Sequence, residues 1–116
     1  MRRGVAMGIA TLALLAGLAS CAPDPADRSP ERLYERYCAR CHGAEGEGNP
    51  RLEKPNLDLR ISTLLAESRD GERAEVTRRI AQGHESMPAF EKRLSPEEID
   101  QLIDYLFRFQ PAADPP

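Results

Sequence analysis

Cys38-Ala39-Arg40-Cys41-His42 sets two thiols three positions apart, with an imidazole directly behind the second. The chain of 116 residues has only three cysteines and two histidines, so this clustering needs a chemical reason. A disulfide between Cys38 and Cys41 would close almost no loop and would constrain little of the unfolded chain. A structural zinc site takes four ligands, commonly as two pairs. Here only His84 could join Cys38, Cys41 and His42, across a long gap with no second C-x-x-C. A thioredoxin-like redox pair calls for a βαβ setting, and no segment alternates with the period of a strand. Two structural cysteines meeting by chance explain the spacing but not the histidine. The remaining reading of C-x-x-C-H is covalent haem attachment. Each thiol adds to one of the two vinyl groups, which requires sulfurs about a helical turn apart. The imidazole that follows then meets the iron from the same side.

The segments around this motif set its surroundings. Met1, Arg2 and Arg3 form a short positive start, followed by sixteen uncharged, mostly apolar residues from Gly4 to Ala19. A membrane-spanning helix needs about 20 such residues, so residues 1–20 read as a secretory signal rather than a permanent anchor. Leu18-Ala19-Ser20-Cys21 resembles the lipobox of bacterial lipoproteins, which implies a lipidated Cys21 as the first mature residue; ordinary cleavage would leave Cys21 as a spare thiol. Loss of Arg2 and Arg3 takes two of the 16 basic residues and leaves 14 against 19 acidic ones. An acidic domain without a basic run does not suit nucleic acid. Met1 and Met7 leave with the signal too, so Met87 is the only mature methionine.

Residues 21–29, with two prolines and two aspartates in "APDPADRS", read as a flexible tether. Residues 30–110 form the one domain that this length supports, and 111–116 form a disordered tail. Three helices are legible, with a shorter fourth at about Ser62–Ser68. The first starts at Ser29-Pro30, a cap residue followed by proline at the first helical position. Its apolar face carries Leu33 and Tyr37, with Cys41 one turn further. The second runs from about Glu72 to Gln82 and stops at Gly83. The third opens with a capping box, Ser95 paired with Glu98, and Ile99, Leu102, Ile103 and Leu106 repeat at core-facing intervals. Two irregular stretches, 43–58 and 83–94, hold most of the unusual residues. A mature chain of 96 residues without tryptophan has a limited core, and long loops in such a domain need a staple.

From about Ser29 to Phe109 the chain resembles a class I bacterial cytochrome c, a small monohaem electron carrier. "CARCHGAEGEGNP" resembles that family's haem-binding segment and the glycine-rich loop behind it. "KPNL" at 54–57 resembles the family's Gly-Pro-Asn-Leu, with Lys54 in place of glycine. "GHESMPAF" at 83–90 resembles its distal loop. The resemblance implies an all-α fold of three to four helices around one covalently bound haem c. Cys38 and Cys41 would carry the thioether bonds, and His42 and Met87 would be the axial iron ligands. The carbonyl of Pro55, or failing that of Pro50, would accept a hydrogen bond from His42. Met87 also stands before proline in a loop, 45 residues beyond His42, far enough for the chain to wrap the haem. His84 is the rival ligand, and a lone methionine is otherwise core filler.

These expectations point to a one-electron carrier rather than an enzyme. It would be lipid-anchored at Cys21 on the periplasmic side of a bacterial envelope and would exchange electrons with a membrane-bound reductase or oxidase. A haem subunit of a larger oxidoreductase complex is the main alternative. A gas sensor or peroxidase-like protein would need an open or labile distal position.

Overall fold

The computed structural model describes residues 21–68 and 72–109; the proposed signal at 1–20 and tail at 111–116 lie outside them. Among the described residues five helices follow in order: α1 Pro30–Tyr37, α2 Ala39–His42, α3 Ile61–Glu67, α4 Arg73–Gln82 and α5 Pro96–Leu106. A 3₁₀ turn, Phe107–Phe109, ends the order. Among the described residues the only β pairing is two isolated bridges, Lys54 with Leu57 and His84 with Met87. The all-α expectation holds. None of the described helices is long and apolar enough to cross a membrane.

Helix starts follow local chemistry. At α5, Ser95 Oγ accepts from the Glu98 amide at 3.1 Å and Glu98 Oε2 accepts from the Ser95 amide at 2.8 Å, the expected capping box. At α1, Pro30 takes the first turn as expected. The Ser29 side chain caps nothing, however, and Asp27 Oδ1 accepts from the Ser29 amide instead.

The first helix departs from the sequence expectation. It stops at Tyr37, because Cys38 adopts φ −118°, ψ −44°, and α2 restarts with the Cys38 carbonyl accepting from the Cys41 and His42 amides. Cys41 therefore does not extend the Leu33 face: it is exposed, whereas Cys38 packs against the core.

α1 and α4 both pack on α5. Leu33, Leu65, Val76, Leu102 and Ile103 are sealed between the helices. Tyr34 is also fully buried, although the i, i+4 reading had singled out Leu33 and Tyr37. Its ring lies 5.4 Å from Tyr105 and 5.1 Å from Phe109, and those two meet edge-on at 5.3 Å. Tyr37 turns to Phe90 instead, 5.8 Å away. Arg73 bridges α4 to α5 through Asp100 and Asp104.

Candidate haem-attachment site

The loop behind α2 is fixed to the motif at several points. The Tyr34 hydroxyl donates to the Gly43 carbonyl at 2.7 Å. The Gly48 amide reaches back to the His42 carbonyl at 2.7 Å, and the Ile61 amide to that of Gly46 at 2.9 Å. Gly46 must be glycine: its φ is +75°, and a Cβ there would stand 2.9 Å from the Phe109 ring. A glycine-rich stretch that looks loose in sequence is thus a set of close backbone passes.

Those ties settle the imidazole. His42 Nδ1 lies 2.6 Å from the carbonyl oxygen of Leu59. A carbonyl can only accept, so Nδ1 carries the proton and Nε2 keeps its lone pair. Burial lowers the His42 pKa below its usual 6.5, against the smaller opposing pull of the Leu59 carbonyl, so the ring is neutral at neutral pH. A neutral imidazole with its tautomer fixed by a carbonyl is the form that ligates a metal through Nε2.

The partner was expected to be Pro55, with Pro50 as the fallback, and the structure assigns the bond to Leu59. Lys54-Pro55-Asn56-Leu57 forms a tight turn, with the Leu57 amide on the Lys54 carbonyl at 2.9 Å and Asn56 at φ +76°. Pro55 sits exposed at its corner. Three residues later Asp58 accepts from the Arg60 amide and guanidinium and from the Thr63 hydroxyl. The Arg60 contacts hold the Asp58 carboxyl well below the usual range. Leu59 lies between this knot and the tie at Ile61, so its carbonyl is the one held against the His42 ring. No motif in the sequence marks it.

Met87 occupies the other loop. Gly83 turns the chain out of α4 at φ +81°, and the His84 and Met87 backbones pair in both directions at 3.1 and 2.8 Å. The amides of Phe90 and Glu91 then return to the carbonyls of Ile80 and Ala81. A four-residue turn clamped at both ends presents Met87, whose half-buried side chain packs on the core cluster that Cys38 also touches. His84 shares the turn, its ring half-exposed and 3.9 Å from the Glu85 carboxylate.

Other readings of the motif fare worse. Cys38 and Cys41 are unbridged, and burial pushes the Cys38 thiol up to about 12, opposite to the lowered pKa of a redox dithiol. Among the described residues no three His, Cys, Asp or Glu side chains are grouped to hold a metal, so zinc has no ligand set there. Two thiols, a neutral imidazole with Nε2 unprotonated, and a thioether on a clamped turn are donors of the kinds that a covalently attached haem requires.

Comparison with known proteins agrees with that chemistry. A family model described as cytochrome c oxidase, cbb3-type, subunit III matches residues 25–106. The cbb3-type cytochrome c oxidase subunit FixP of Azorhizobium caulinodans is 34% identical over 83 residues, covering 71% of this chain and 27% of that protein. FixP of Rhizobium meliloti is 32% identical over 76 residues, covering 66% of this chain and 25% of its own length. The chain thus spans about a quarter of these relatives. Cytochrome c6 of Porphyra purpurea is 33% identical over 76 residues, covering 66% of this chain and 64% of that protein. The solved structure of the KustC0563 c-type cytochrome superposes with a TM-score of 0.58 at 23% identity, over 72% of this chain and 99% of that one, which establishes the shared fold. With the family model matched across nearly the whole described domain, the chain belongs to the cytochrome c family of cbb3-type oxidase subunit III, a family of c-type haem proteins that transfer electrons.

Proposed function

We propose that the chain is a monohaem electron carrier tethered to the periplasmic face of a bacterial membrane. Cys38 and Cys41 would hold the haem by thioether bonds, His42 Nε2 and the Met87 sulfur would ligate its iron, and a lipidated Cys21 would hold the domain at the bilayer. The bound group supplies a reversible one-electron iron couple. The chain's own residues set its conditions. The Leu59 carbonyl orients His42 and raises its basicity. The Met87 thioether favours the less charged, reduced metal. With the iron ligated by both His42 and Met87, no site would be left for a substrate, and exchange would occur through brief contact with another redox protein over a small interface.

The observation that carries this reading is the His42–Leu59 hydrogen bond, which frees Nε2 directly behind C-x-x-C. The test is a spectrum of the purified protein in both redox states. A pyridine haemochrome of c type at one haem per chain and a near-infrared sulfur-to-iron band are expected. Met87→Ala should keep the pigment and lose that band. Pigment extracted by acid acetone, or absent, would sink the proposal.

The family model and the FixP relatives favour a second placement, as an electron relay within a larger oxidase complex. Retention of a stoichiometric oxidase through mild detergent purification would select it. Isolation as a lone cytochrome that a membrane oxidase still oxidises rapidly would select the carrier.

A further inference from the structure

The segment read from sequence as a flexible tether is bound to the domain. Arg28 extends its guanidinium to both carboxylate oxygens of Glu98, 70 positions away, and Nη2 also donates to the Arg93 carbonyl at 3.1 Å. Glu98 is already held by the α5 capping box, so Arg28 meets a carboxylate that has little freedom left to lose. The Arg28 contact, together with the Ser95 amide, lowers the Glu98 pKa to about 2. Arg36 on α1 donates to the Pro25 carbonyl at 3.2 Å and the Asp27 carbonyl at 3.5 Å. Inside the segment, the amides of Ala26 and Asp27 turn back onto Asp24. Arg32 on α1 also pairs with the Asp27 carboxylate at 3.8 Å. The chain is therefore gripped from Asp24 onward, and Arg36, one of its three grips, stands two residues before Cys38.

We infer that residues 24–29 are a latch that seats the domain directly against a lipid surface, with the Arg36 side of α1 nearest the bilayer. This rests on the reading of Cys21 as the lipidated residue. Three residue steps separate Cys21 from Asp24, a reach of at most about 11 Å; a free segment up to Ser29 would reach about 28 Å. A latched domain cannot search far from its membrane or turn freely on its anchor. The segment that holds the C-x-x-C-H motif stays close to the headgroups, and electron exchange is confined to partners in the same bilayer.

The test uses the full-length, membrane-inserted holoprotein in phospholipid vesicles and on a supported bilayer. It compares wild type with Arg28→Ala/Arg32→Ala/Arg36→Ala, which removes all three grips and leaves the proposed haem ligands untouched. In wild type the amides of Ala26, Asp27 and Ser29 should exchange slowly, and neutron reflectivity should find a water gap under the domain no wider than about 11 Å. In the triple variant those amides should exchange on the order of tenfold faster, and the gap should widen toward 28 Å. Mass spectrometry of the N-terminal peptide separates the two ways of failing. An unacylated Cys21 overturns the anchor and with it the seat on the bilayer. An acylated Cys21 with unprotected wild-type amides, or with the same gap in both proteins, overturns the latch alone. Arg28→Lys/Arg32→Lys/Arg36→Lys, which keeps charge without the planar fork, should restore protection only in part; full loss of protection in a folded Lys variant still supports the latch, and wild-type protection in the Ala variant refutes it.

Discussion

Tyr34→Phe should produce a stability difference that changes sign with pH. In the native protein the Tyr34 hydroxyl is buried and donates to the Gly43 carbonyl at 2.7 Å. That carbonyl also accepts from the Gly46 amide, at a weaker 3.3 Å, so losing the hydroxyl does not orphan it. The cost near pH 7 is then that of one net hydrogen bond, about 1 kcal/mol, or roughly 4–8 °C in Tm for a domain of this size. Tyr34→Ala, which also removes a ring packed against Tyr105 and Phe109, should cost about 3–5 kcal/mol. Between pH 10 and 11 the order of wild type and Tyr34→Phe reverses. Burial raises the phenol pKa above its usual 10.0 in the fold, so the unfolded chain releases the proton first. A group whose folded pKa is raised contributes stability that is whole below the unfolded pKa and falls as pH rises past it, by about 1.4 kcal/mol per unit. At pH 11 wild type should have lost about that much to this group. Tyr34→Phe has lost none of it and should be the more stable of the two. Urea unfolding of both proteins at pH 7, 9 and 11, followed by far-ultraviolet dichroism with a common m-value, measures the difference. A gap that stays constant across this range would refute both the burial of the hydroxyl and its bond to Gly43.

Gly46→Ala should destabilise by about 1–3 kcal/mol, because φ +75° is strained for alanine and its Cβ would press on Phe109 and Ile61; a midpoint within error of wild type would mean that the loop yields. Gly83→Ala would set a Cβ 2.7 Å from the Met87 carbonyl and should weaken the near-infrared band with the core intact, whereas an unchanged band would separate Met87 from the iron. On the acid side, arginine contacts bring Glu75 and Glu98 down to about 2, so their contribution is whole above the usual 4.5 and is lost as pH falls through 2. Arg28→Ala should flatten the Glu98 part of that limb in urea midpoints taken between pH 5 and 2, and an equally steep limb would show that Glu98 is not held by Arg28.

What could be read in the sequence was local chemistry. The capping box at Ser95 and Glu98, proline at the first turn of α1 and the stripe from Ile99 to Leu106 each depend on residues within two turns, and each is in place. The cysteine and histidine cluster announces its chemistry in five positions. Hidden features depended on contacts distant in sequence or on backbone atoms. Arg28 looked like linker because its partner lies 70 residues away. Tyr34 looked secondary to Tyr37 because an i, i+4 count ignores the aromatic pair arriving from the end of the chain. Leu59 was invisible because its contribution is a carbonyl, which every residue has. Only the path of the chain between the Asp58 knot and the Ile61 tie selects it.

That distinction divides the domain by the way its parts respond to substitution. The packed helices α1, α4 and α5 hold their places by side-chain burial, so a smaller core residue there costs stability in proportion to the space it leaves. The loops behind α2 and around Met87, which position the proposed donors, are held by main-chain hydrogen bonds: Gly48 to His42, Ile61 to Gly46, His84 to Met87, Phe90 to Ile80. Those bonds do not depend on which core side chains lie beneath them. Core substitutions that still permit folding, other than at Tyr34 with its tie to Gly43, should therefore lower the unfolding midpoint and leave the surroundings of His42 and Met87 unchanged, while a methyl group at Gly46 or Gly83 acts directly on the backbone that positions them. Side-chain packing carries the stability of this small protein, and its loop backbone carries the geometry of the site.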